Sequence, residues 1–222
     1  MSVMLTVARK ELLELRSNKR VLASIVLFAM VFAWVNSSVF SELQWIFLST
    51  LIGMYAAFSL SGQAFNQEKM FGTLETQFCG PLEVRDLWTG KILGTLIPAV
   101  LIAYAAASVS VLLVITQGSE VGVSLPSIIY VVAVLPALVA SFIGLMGFIQ
   151  LNFEARMTRM LSMAVMVLII FMLTSMISLQ MSGSMSWTSI VLIAVVAAGL
   201  LTLPALLVNR LSKERIILTS EG

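Results

Sequence analysis

The residues of this chain that could do chemistry are few and unevenly placed. Histidine is absent and cysteine occurs once, at Cys79. Without imidazole, the most frequent acid–base catalyst and metal ligand are both missing. A single thiol can build neither an internal disulfide nor a cysteine-based zinc site. What remains is carboxylates, ammonium groups and guanidinium groups, and these are bunched. The stretch "NQEKMFGTLETQFCGPLEVRDLWTGK", residues 66–91, holds seven of them: Glu68, Lys69, Glu75, Glu83, Arg85, Asp86 and Lys91. Its Gly90-Lys91 pair imitates the end of a phosphate loop. Arg85, however, stands where the first glycine is required, and Ile92 where a serine or threonine is required. Serine nucleophiles fare no better, because neither a histidine nor a lysine within a span is available to activate one. The chemistry left to residues 66–91 is charge pairing with another surface.

The elements around that segment are oily. Of 222 residues, 59% are hydrophobic and 11% charged, with a mean hydropathy of +1.04, against an apolar fraction near one half in an ordinary soluble domain. Six windows lack Lys, Arg, Asp and Glu and are long enough to cross a bilayer, which takes roughly 20 residues. They are residues 21–40, 43–65, 92–116, 125–151, 160–180 and 187–208. The expected fold is an all-α membrane protein of six transmembrane helices, with both termini on one side. Residues 1–20 precede the bundle, and residues 21–222 form it. All 13 Lys and Arg then fall on the side of the termini, in the leader, in 66–91, between the fourth and fifth spans, and in the tail. Positive residues stay inside, so both termini and residues 66–91 are expected in the cytoplasm of a multi-pass cell-membrane protein. No small-residue cleavage site follows the first span, which is read as retained. A net charge of +2 with no basic stripe among aromatics gives no reason to expect nucleic acid.

Two local patterns refine the picture. Within "MSVMLTVARKELLELRSNKR", Met4, Leu5, Ala8, Leu12 and Leu15 share a helical face, while Lys10, Glu14 and Ser17 face away. This predicts an amphipathic helix lying in the membrane plane; a basic leader that only sets topology is the plainer alternative. In the polar segment, Phe71, Leu74 and Phe78 form one apolar stripe, Glu68, Glu75 and Gln77 lie off it, and Gly80-Pro81 breaks the helix. A second helix runs from Leu82 into the third span. The segment reads as helix, break and helix on the inner leaflet with a charged outer face, or as a solvated loop.

In "EKMFGTLETQFCGPLEVRDLWTGKIL" the order Glu68-Lys69, Gly72-Thr73-Leu74-Glu75, Pro81-Leu82, Arg85 and Gly90-Lys91 resembles the cytoplasmic signature of ABC-2-type permeases, the membrane subunits of a class of ATP-binding-cassette exporters. "RKELLELRSNKR" and "NRLSKERIILT" are similar to the family's leading helix and to its exit from the sixth span. The outer connections are shorter than in many relatives. The resemblance implies a cytoplasmic coupling helix within 66–91 that contacts a separate soluble ATPase through Glu68, Lys69, Gly72, Thr73, Leu74, Glu75, Pro81 and Arg85. Glu154, Arg156 and Arg159 would form a smaller second contact, or else mark topology alone. It further implies a permease subunit with no catalytic or nucleotide site of its own, ATP and Mg being bound by the partner. A homodimer, or a heterodimer with a second permease, is implied as well. The absence of ionisable groups within the spans agrees with an external energy source. A haem-exporter-type permease of cytochrome c biogenesis and a non-transporting membrane scaffold are the competing readings. No cargo is indicated: Thr50, Gln63, Gln150 and the methionines from Met157 to Met185 suit helix packing as well as a substrate path.

Overall fold

A computed structural model describes residues 3–35, 42–68, 83–116, 123–153, 157–158, 160–167, 171 and 186–208. Among them the chain is helical almost throughout and has no strand. Helix α1 is Val3–Ser17 and α2 is Lys19–Val35. Helix α3 is Glu42–Gln67, its last six residues, Gly62–Gln67, being π-helical. Helix α4 is Val84–Thr116, α5 is Leu125–Asn152 with a π-helical turn at Tyr130–Val134, and α6 is Trp187–Val208.

Helices α3, α4, α5 and α6 are each long and apolar enough to cross a membrane, so the protein is a membrane protein. They overlap the second, third, fourth and sixth expected spans, α4 beginning ahead of the third at Val84 and taking in Lys91. The first expected span overlaps α2, which has 17 residues, is not among the four helices long enough to cross alone and meets α1 at a bend of 77°; residues 36–40 lie outside the described residues. Of the fifth, residues 160–167 are helical, and most of the remainder lies outside the described residues. Helix α4 is the hub and touches every other helix named. Its 33 residues make a rod of about 50 Å at 1.5 Å per residue, well beyond the roughly 30 Å of hydrocarbon a bilayer offers. Helix α1 docks on its first turns.

Polar side chains tie the spans together where lipid offers no competing water. The Trp88 indole donates to the Gly144 carbonyl at 3.1 Å, joining α4 to α5. Trp45 donates to Ala107 O at 3.2 Å, joining α3 to α4, and Ser141 to Ala197 O at 2.7 Å, joining α5 to α6. Thr50 and Tyr130, both buried, share a hydrogen bond of 2.9 Å. Thr50 is thus engaged in holding α3 to the π turn of α5.

At the opposite end of α3 from the polar segment, Glu42 is buried rather than exposed in a loop. Its Oε1 accepts the Ser124 backbone N–H at 2.9 Å and the hydroxyls of Ser124 and Ser127. A carboxylate at the start of α5 satisfies an unpaired helix donor and complements the positive end of the helix dipole. Glu42→Ala strips these donors of their acceptor and is expected to lower stability by about 2 kcal/mol. Glu42→Gln should cost less, and thermal unfolding in detergent measures both.

Candidate functional site: a buried ionic cluster where three helices meet

The sequence dictates the joint between α1 and α4 through two glycines one helical turn apart. A Cβ on Gly90 would lie 2.7 Å from Val7 Cβ and 2.9 Å from the Met4 carbonyl oxygen. On Gly94 it would lie 2.6 Å from Glu11 Cβ and 3.0 Å from the Ala8 carbonyl oxygen. Only a side chain ending at Cα lets the two backbones come this close. The buried face of α1 is therefore Val7, Ala8, Glu11 and Leu15. This corrects the expected apolar stripe, since Leu5 is exposed and Glu11 is inside. Contact with α4 selected the face, and a hydrophobicity pattern alone cannot register it.

Between those glycines sits Lys91, with 0% of its side chain exposed. Three oxygens surround its ammonium: those of Glu11 and Ala64 accept hydrogen bonds from it, and that of Glu68 forms an ion pair. Glu11 Oε1 of α1 is at 2.7 Å, Glu68 Oε2 after the π turn of α3 is at 2.6 Å, and the third is the Ala64 carbonyl oxygen. The Phe65 ring lies 5.4 Å from Nζ and adds a cation–π contact. Phe65 in turn fills the notch of Gly147, where a Cβ would stand 2.6 Å from the ring. The other carboxylate oxygen of Glu68 accepts Lys10 at 2.6 Å, and Lys10 also approaches Glu14 at 3.4 Å. Lys10, Glu11, Glu68 and Lys91 thus form a neutral quartet drawn from α1, the end of α3 and α4.

Burial raises the Glu11 carboxyl above the ordinary carboxylate range, and the attraction of Lys91 only partly offsets it. Burial acts to lower Lys10, but the Glu68 hydrogen bond and charge, with help from Glu14 and Glu11, leave it raised. The signs differ in effect. Glu11 disfavours folding while ionised, and that penalty shrinks as pH falls through its folded value. Lys10 contributes fully below its unfolded value and loses its contribution as pH rises through its folded one.

Of the residues expected to contact an ATPase, two are described. Arg85 is exposed in the first turn of α4. Glu68 is buried, its side chain only 9% exposed, so it does not lie on a charged outer face. The π turn before it sets its azimuth toward α4. Lys69, Gly72, Thr73, Leu74, Glu75, Pro81, Glu154, Arg156 and Arg159 lie outside the described residues. Lys10, Glu11 and Lys91 escaped sequence reasoning as a unit. The available signal was Glu11 at helical spacing among Val7, Ala8 and Leu15, together with Lys91 between two glycines four residues apart. Glu11, Glu14 and Glu68 place carboxylate oxygens within 4.8 Å of one another, but Lys10 and Lys91 already supply the positive charge there. No protein-family model matches the chain, and a comparison with curated proteins gives no significant match.

Proposed function

We propose that this chain is the permease subunit of an ATP-binding-cassette transporter, an exporter by its resemblance, driven by ATP hydrolysis in a separate soluble subunit. The observation that carries the reading is the patterned polar segment 66–91, set between the apolar stretches 43–65 and 92–116, neither of which contains Lys, Arg, Asp or Glu. The arrangement of α3 and α4 supports it. Glu68 before the segment's centre and Lys91 at its end belong to one buried cluster with α1. Force applied to the segment would reach three helices together. In this reading six helices span the cell membrane, α1 lies along the inner leaflet, and both termini are cytoplasmic with every Lys and Arg on that side. Two such chains, or one and a related permease, assemble with two ATPases.

The test is affinity purification of the full chain in mild detergent. A soluble ATPase should accompany the wild type. The combined reversals Glu75→Lys and Arg85→Glu should abolish that association while membrane insertion persists. An ATPase retained at wild-type stoichiometry by the double variant removes the docking assignment. A wild-type chain that brings down no ATPase favours the scaffold reading.

A further inference from the structure

The cluster sorts the charges of the leading segment in a way its composition conceals. Residues 3–20 carry Arg9, Lys10, Arg16, Lys19 and Arg20 against Glu11 and Glu14, a mixture that looks nearly balanced. In the structure both carboxylates are engaged by lysines. Glu11 is buried against Lys91, and Glu14 lies beside Lys10, which is itself bound to Glu68. Arg9, Lys19 and Arg20 are exposed and paired with no carboxylate among the described residues. They do not stand alone. Leu5 and Leu13, 49% and 57% exposed, flank Arg9 at a spacing of four on the face of α1 turned away from α4. Lys19 and Arg20 then mark the elbow, where α2 leaves at 77°.

We infer that this face binds the anionic headgroups of membrane phospholipids. The inference rests on the reading that α1 lies along the leaflet. Leu5 and Leu13 would enter the acyl boundary, and Arg9, Lys19 and Arg20 would each meet a phosphate at the headgroup level. The 77° elbow suits that placement, because α2 enters the hydrocarbon while α1 stays in the interface. Glu14, the one exposed carboxylate of α1 and α2, is drawn toward Lys10 on the flank and does not oppose the three cations. Each cation near an anionic surface favours it by about five-fold, and the preference weakens as salt shortens the Debye length.

The experiment uses the full chain in nanodiscs of phosphatidylcholine, with Cys79→Ser and a bimane label on Leu13→Cys. Tracer lipids carrying a nitroxide quencher are added, bearing either a phosphatidylglycerol or a phosphatidylcholine headgroup. The phosphatidylglycerol tracer should quench the label about five-fold more effectively or better. That excess should vanish at high salt and in the Arg9→Gln, Lys19→Gln, Arg20→Gln variant, whose changed residues are all exposed. Equal quenching by both tracers overturns the headgroup preference while leaving α1 at the membrane. Excess quenching that survives the triple variant overturns the assignment to these residues. Absence of quenching by either tracer overturns the in-plane reading itself.

Discussion

Lys91→Met is expected to lower the stability of the protein by about 3–5 kcal/mol, because it leaves Glu11 and Glu68 buried without their shared cation. Methionine fills nearly the same volume, so little of the loss comes from an empty space. Charge is what has been removed. Lys10 can compensate Glu68 in part, since their pair persists at the half-exposed edge of the cluster. Glu11 keeps only the weaker, longer-range attraction of Lys10. Adding Glu11→Leu and Glu68→Leu to Lys91→Met should recover most of the loss, since buried ionic groups replaced throughout by apolar side chains of similar volume are often neutral in cost. Unfolding midpoints in detergent measure all of these variants. A midpoint unchanged by Lys91→Met would show that the ammonium is not held between carboxylates.

Gly94→Leu should detach α1. Even the first added carbon would lie 2.6 Å from Glu11 Cβ, and the rest of the side chain has only the α1 backbone in front of it. Leucine favours a helix over glycine by roughly 1 kcal/mol. Overpacking of 1–3 kcal/mol and the displaced Lys91–Glu11 pair outweigh that gain, for a net loss of about 3 kcal/mol. The signature is local. Trypsin should cut after Arg9 or Lys10 faster than in the wild type, while the bundle of α3, α4 and α5 stays resistant. Equal protection of α1 in both proteins would sink the close contact.

Four of the expected spans, those of α3 to α6, were legible because burial in lipid demands uninterrupted apolar sequence, and Lys, Arg, Asp and Glu mark the limits of such runs. That rule also misled. Treating Lys91 as the boundary of the third span placed it at the water's edge, whereas α4 begins at Val84 and encloses Lys91 within the protein. A lysine can be interior when its counter-ions come from elsewhere in the chain, here 80 residues away at Glu11. Spacing within one segment cannot reveal such a meeting. The inward turn of Glu68 was hidden for a different reason. A helical wheel drawn at 3.6 residues per turn misplaces every residue after a π turn. Glu42 was legible as a residue between the first two expected spans, but its partners Ser124 and Ser127 lie across a gap in sequence that no local rule spans.

The six-residue turn Gly62–Gln67 holds one residue more than a regular α-helix would place there. Shortening it by one would pull the chain beyond it back into ordinary register and swing Glu68 by about 100° around the helix axis. Its carboxylate would then point away from Lys91. A whole quartet of charges therefore depends on the phase of a single backbone turn, much as the alignment of a key depends on the angle of its shaft.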